Sequence, residues 1–340
     1  MISAFDRSIQ LYHETNNIAM EIEVGVERAI DLSRFSGFSG ENDLKRMVDK
    51  SLANGCIELP SIYLYLARIK RYTGNLNDAL PYSSAALKTL RELGDTTQIA
   101  NYYGEIALEY GELGRSAESI AYYKKCLDGR EKTNVSQYVI YRTSTLMTAE
   151  MIKNNQAYEG FEILKSLKIR NPPHGEMEKA IIEHGMANCL AASGRFDLAE
   201  KYYLSMIEGY QKHERNQEIL LIACLDIVKF LTAQKQFKKA EAYYDQLARL
   251  LFSTSIARKS EIELCLFKID SARSRLHDAI RHYQLFKNYN DSIFNKVKSE
   301  QIEGLHIRYS SEQKDQNIAL LTKQTELQQA KPQPIRDPEK

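Results

Sequence analysis

A short turn returns about every forty residues along this chain, and in each copy it is followed by a small residue and then, one helical turn on, usually by an aromatic. The clearest copy reads Tyr63-Leu64-Tyr65-Leu66-Ala67, Tyr72-Thr73-Gly74-Asn75, Asp78-Ala79-Leu80 and Ala86. Carried forward, the turn falls at Gly114, Asn155, Gly194, Lys235 and Ser274, with spacings that agree within two residues. The small position becomes Ala79, Ser119, Gly160, Ala199, Ala240 and Ala279, where two helices must approach closely. Four residues later stand Ser83, Tyr123, Leu164, Tyr203, Tyr244 and Tyr283, on the same helix face as the small residue. Self-similarity at such a period is the signature of stacked supersecondary units, each of which buries its apolar face only against its neighbours.

The pattern resembles the tetratricopeptide repeat through Gly104-Glu105-Ile106-Ala107, Gly185-Met186-Ala187, the run from Gly194 to Tyr203 and the run from Phe237 to Tyr244. The likeness covers roughly residues 58–288. It departs from the family in a period nearer forty than the usual ~34 and in the absence of the proline that often closes a repeat. The resemblance implies an all-α fold, a right-handed superhelical solenoid of hairpins with somewhat lengthened helices or connections. Seven prolines in the chain, three of them at Pro332, Pro334 and Pro338, leave nearly all of it free to be helical.

Four segments are expected. Residues 1–57 keep a helical spacing of apolar positions (Ile9, Tyr12, Ile18, Ile22, Val26, Ile30) without a clean copy of the motif, as a degenerate capping unit with a free outer face would. Gly37 to Gly40 is placed as its turn. Six hairpins follow over 58–288, with Asn171-Pro172-Pro173-His174-Gly175 as the strong breaker between the third and fourth. Residues 289–330 read as one long polar helix with a broken stripe of Ile302, Leu305, Tyr309, Leu320 and Leu327, at best a weak coiled coil. The proline-rich, charged stretch 331–340 is expected to be disordered.

The stretch from Asn290 through Tyr309 to Gln328 is similar to the junction in bacterial tetratricopeptide-containing sensor histidine kinases and related two-component regulators, where a repeat sensor feeds an output through a helix. That resemblance implies a sensor or regulatory region with the C-terminal helix as signal transmitter or homodimer contact. A freestanding cytosolic adaptor or peptide-responsive regulator is the alternative from the same fold.

Several chemistries are excluded on residue grounds. Lys plus Arg number 46 against 45 Asp plus Glu, which gives little electrostatic support for binding nucleic acid. Cys56, Cys126, Cys189, Cys224 and Cys265 form no Cys-x-x-Cys or zinc spacing and read as buried thiols. The N-terminus lacks the pattern of a signal peptide, and the longest apolar run, Ile219 to Leu225, is far short of the ~20 residues a membrane span needs. A soluble, cytoplasmic chain with no membrane contact is expected, with an excised region of a membrane-bound sensor as the alternative. No phosphate-cradling glycine loop or nucleophile elbow is present. His213-Glu214-Arg215 begins like a phospho-acceptor box but continues Asn216-Gln217, and reads as a loop. His277 and His282, five apart, miss the i, i+4 spacing of a zinc pair and are expected at the surface, while His13, His174, His184 and His306 show no local partner. No enzyme activity, metal or cofactor is therefore expected.

What remains is a binding surface. In tetratricopeptide arrays the first helix of each hairpin lines a groove that takes extended or helical peptides. The resemblance carries that role to Arg68, Arg71 and Tyr72 in the first hairpin, Asn101 and Glu105 in the second, and Arg142 and Thr145 in the third. In the later hairpins it falls on His184, Asn188, Asp226, Lys229 and Lys268. Members that grip a C-terminal carboxylate use a Lys and Asn clamp; Leu64 and Arg68 stand at those places here, which disfavours that mode.

Overall fold

The computed structural model describes residues 2–35, 40–55, 59–72, 75–94, 98–133, 135–212, 217–251 and 254–295. Among them every regular element is helical. Three helices open the chain: α1 (Ile2–Glu14), α2 (Ile18–Phe35) and α3 (Glu41–Asn54). Paired helices then follow as α4 (Leu59–Tyr72) with α5 (Leu76–Glu92), α6 (Ile99–Glu112) with α7 (Ser116–Glu131), and α8 (Gln137–Lys153) with α9 (Ala157–Arg170). The array continues as α10 (Glu176–Ala192) with α11 (Phe196–Gln211), then α12 (Gln217–Ala233) with α13 (Phe237–Glu241) and α14 (Tyr244–Leu250). Helix α15 (Ile256–Ala272) pairs with α16, whose described part spans 276–295. The chain divides into two compact units, Met1–Tyr289 and Asn290–Lys340. In the second unit residues 290–295 are helical, and the remainder of the expected long C-terminal helix and the 331–340 tail lie outside the described residues, as do Gly74, Cys56 and His213.

One backbone device makes the five turns from the second hairpin to the sixth. Gly114, Asn155, Gly194, Lys235 and Ser274 all take left-handed φ between 57° and 75°. The next amide then reaches back five residues to a carbonyl of the first helix: Arg115 to Tyr110 at 2.8 Å, Gln156 to Met151 at 2.8 Å, Arg195 to Leu190 at 2.9 Å, Gln236 to Leu231 at 2.8 Å and Arg275 to Asp270 at 2.9 Å. This is the Schellman arrangement, which satisfies carbonyls that a helix end leaves unpaired. The same residue then starts the second helix by accepting the amide of the small residue: Ser119 to Arg115, Gly160 to Gln156, Ala199 to Arg195, Ala240 to Gln236 and Ala279 to Arg275, at 2.9–3.1 Å. Ala79 does the same with Asn75 in the first hairpin.

The small residues are buried in all six hairpins. Ser119 stays tolerable there because its hydroxyl donates to the Ala107 carbonyl at 2.7 Å. The position one turn later divides. Ser83, Tyr123, Leu164 and Tyr203 are buried, Tyr244 is half-buried and Tyr283 is 48% exposed. Tyr123 packs with Met147 and Met151 of the following α8, and the Tyr203 ring lies 5.1 Å from Phe230 of α12. A following first helix is what covers this position; Tyr283, with no further hairpin after it among the described residues, keeps the Phe267 and Phe286 rings beside it, at 5.2 and 6.1 Å.

Apolar packing proceeds in overlapping steps along the array. One cluster joins α2, α3 and α4, a second α4 to α6, a third α6 to α8, and a large fourth runs from α8 to α15. Cys126, Cys189, Cys224 and Cys265 are buried, and desolvation pushes the last three thiols to about 11 to 12. The second helix of the fifth hairpin is broken at Ala242–Tyr243 into α13 and α14. No described helix is long and apolar enough to cross a membrane.

Candidate functional site

The first helices of successive hairpins, α4, α6, α8, α10, α12 and α15, carry the residues expected to line a groove. Among the described residues, concavities lie along them. The first, about 570 Å³, includes Arg68 of α4, Asn101 and Glu105 of α6, Arg130 of α7 and Arg142 of α8. The second, about 630 Å³, includes Arg142 and Thr145 of α8, His184 and Asn188 of α10, Ile219 and Ile222 of α12, and Arg258 of α15. A smaller third of about 140 Å³ holds Lys229 of α12 with Glu261 and Lys268 of α15.

Helical spacing explains why these side chains converge. On α8, Tyr138, Arg142 and Leu146 recur at i, i+4 and i+8 and so share one face. All three border both larger concavities. The floor of the second is set by Gly185: a Cβ built there would fall 2.6 Å from the Thr145 methyl and 2.8 Å from Leu164, so α10 approaches α8 more closely than any larger residue allows.

Much of the polarity expected to be free is instead tied up between neighbouring first helices. The Arg68 guanidinium donates to Glu105 at 2.6 and 3.1 Å and lies over the Tyr65 ring. Arg71 meets Glu105 at 3.4 Å and Glu112 at 3.1 Å, and is more a strut between α4 and α6 than a groove side chain. Lys229 pairs with Glu261. His184, for which no local partner was expected, holds Asp226 at 2.7 Å from forty-two residues away and sets its ring edge-on to Tyr210. Asn188 accepts the Tyr203 hydroxyl at 2.6 Å. Asn101 accepts from Arg130 at 3.2 Å, while Arg130 also donates to Thr143. The Tyr72 side chain lies outside the described residues. Arg142 and Lys268 are exposed and have no ion pair or side-chain hydrogen bond among the described residues.

Residue types alone did not single out Arg130, Tyr138 or the isoleucines of α12 as lining residues. Arg130 sits on a second helix, and only folding brings it beside Asn101, which stands 29 residues earlier. The expectation for His282 fails outright. It is 4% exposed, its Nδ1 meets Glu263, its Nε2 lies 2.9 Å from the Tyr244 hydroxyl, and Asp270 is 3.5 Å away. Those partners sit 12 to 38 residues away along the chain, so nothing adjacent to His282 foretells burial. Glu263 and Asp270 are themselves buried, so the imidazole serves as the polar partner that burial of two carboxyl groups demands. Among the described residues no group of three or more His, Cys, Asp or Glu is arranged to hold a metal ion.

The tetratricopeptide repeat family model matches residues 58–132. Similar solved structures include a tetratricopeptide repeat protein from Parabacteroides merdae, with TM-score 0.56, 16% identity, and coverage of 82% of this chain and 98% of that one. RapI in its apo form has TM-score 0.51 at 11% identity, covering 86% of this chain and 98% of RapI. A Rap protein solved in complex with competence and sporulation factor has TM-score 0.50 at 14% identity, covering 87% and 96%. At these identities the likeness speaks for the fold, an all-α tetratricopeptide-type solenoid. No curated protein sequence matches the chain.

Proposed function

We propose that the chain is a non-catalytic binding module that takes a protein or peptide segment along the first-helix face, and that it acts as a regulatory or sensory element. The observation that carries this reading is the continuity of the two larger concavities across α8, which together present a path from α4 to α12 rather than an isolated pocket. Tetratricopeptide solenoids are interaction scaffolds, and the fold match supports the same role here. The Rap protein solved with competence and sporulation factor supports a regulatory setting by analogy of fold alone. The candidate contacts are Arg68, Asn101, Glu105, Arg142, Thr145, His184, Asn188, Asp226, Lys229 and Lys268, with Arg71 acting through Glu105. Coupling to a two-component output, a homodimer contact and a transmitting helix rest on the sequence likeness of residues 290–328.

Selection of displayed random peptides on the full chain tests the reading. Enriched peptides should bind the wild-type chain and lose binding to Ala149→Phe, which places bulk in the second concavity at an exposed position without crowding the core. Enrichment indifferent to that change would move binding to another surface, and no enrichment would remove the reading.

A further inference from the structure

We propose, on the footing of the groove reading above, that the segment bound here carries an acidic side chain flanked on both sides by aliphatic or aromatic residues, and that Arg142 is its anchor. The argument starts from charge. Of the expected basic groove residues, Arg68 and Arg71 are committed to Glu105, His184 to Asp226 and Lys229 to Glu261. Arg142 has no such partner among the described residues, and it stands between the two larger concavities. Lys268, the other unpaired cation, borders only the smallest.

A guanidinium left open in a groove offers a planar fork that matches a carboxylate, and the bond is charge-assisted. Its flanks are apolar. Tyr138 and Leu146 stand one turn to either side on the same helix, and Leu146 is 37% exposed. Beyond them the second concavity adds Ile181, Ile219 and Ile222, while the first adds Leu64 and Leu108. A ligand that fills both spaces passes over Arg142 at its middle. The carboxylate that meets it therefore belongs to an internal Asp or Glu rather than to a chain terminus, and the residues before and after are the ones that reach apolar walls.

The composition of the peptides enriched on the full chain reads this out. Asp or Glu between aliphatic or aromatic residues is expected. Arg142→Gln should weaken such a peptide about tenfold or more, in line with loss of a charge-assisted bond, and Arg142→Lys should recover part of it. Replacing the peptide's Asp by Asn should weaken binding to the wild-type chain by a similar factor and make no further difference to Arg142→Gln, since both changes remove one interaction. Neutral or basic enriched peptides, or equal affinity of wild type and Arg142→Gln for acidic ones, would overturn the proposal and leave the groove reading standing. No enrichment at all would overturn both.

Discussion

At the scale of single residues, the chain buries acidic groups where its helices cross, and one of them sets a pH response. Glu109 is 1% exposed, accepts the Ser83 hydroxyl at 2.6 Å, and has a second carboxylate oxygen that is buried without a partner. Desolvation outweighs that hydrogen bond and the nearby Arg71, and pushes the carboxyl up to about 7. Folding therefore favours the protonated form. The native state holds this proton between about pH 4.5 and 7 while the unfolded chain releases it, so stability from this group is present below that window and is lost as pH rises through it. The full shift corresponds to an upper bound of about 3 kcal/mol. Glu109→Gln keeps an acceptor for Ser83 and cannot ionise. Urea midpoints measured from pH 4.5 to 8 should show the variant gaining on the wild type as pH rises, and a constant difference would sink the assignment. Nothing local in the sequence marks Glu109, because Ser83 and Arg71 reach it from earlier helices. His282 was hidden for the same reason, whereas Ala79 and its five equivalents were legible because a small side chain where two helices touch is dictated by packing alone.

At the scale of elements, the turn chemistry that recurs through the array is a local property of the backbone, and this is why it could be read directly. Gly114 and Gly194 occupy the left-handed position at no steric cost, but Asn155, Lys235 and Ser274 hold it with a Cβ. Lys235→Gly should therefore stabilise, by up to about 1 kcal/mol, and Gly194→Ala should destabilise by a similar amount. A Cβ at Gly194 meets no atom within 4 Å, so the penalty there is conformational rather than a clash. Thermal melts of the two variants decide the matter: equal and unchanged midpoints would mean that these turns relax out of the left-handed region. The broken helix of the fifth hairpin was not legible. Phe237 to Tyr244 reads as continuous helix, yet the chain turns at Ala242–Tyr243. Just beyond the break, Tyr244 bonds Asp270 at 3.1 Å and reaches His282, and Gln246 accepts the Cys224 thiol. Asp270 and His282 belong to α15 and α16 of the sixth hairpin, which no window of the fifth contains, and Cys224 stands 22 residues before Gln246 on α12.

At the scale of the whole array, packing in series determines how a local injury spreads. Each apolar cluster shares a helix with the next, α4 linking the first two, α6 the second and third, and α8 the third and fourth. Stability in such an array is a sum of unit terms and nearest-neighbour contacts, not a single global quantity. Ile62 of α4 is fully buried in the first cluster, with Ile22, Leu44 and Leu66. Ile62→Ala should cost about 2–5 kcal/mol there. The large cluster from α8 to α15 keeps all its own contacts, so native-state hydrogen exchange should show amides of α2 to α5 opening sooner while those of α10 to α12 hold their protection. Denaturant unfolding of the variant should also broaden, because the two ends no longer melt together. Uniform loss of protection from α2 to α15 would show instead that the neighbour contacts through α6 and α8 bind the units into one cooperative body, and a residue's effect on the groove could then not be separated from its effect on the fold. Graded protection has the opposite consequence. With α8 to α12 intact, a peptide anchored at Arg142 would keep its affinity in the Ile62→Ala chain, and binding would belong to the middle of the array.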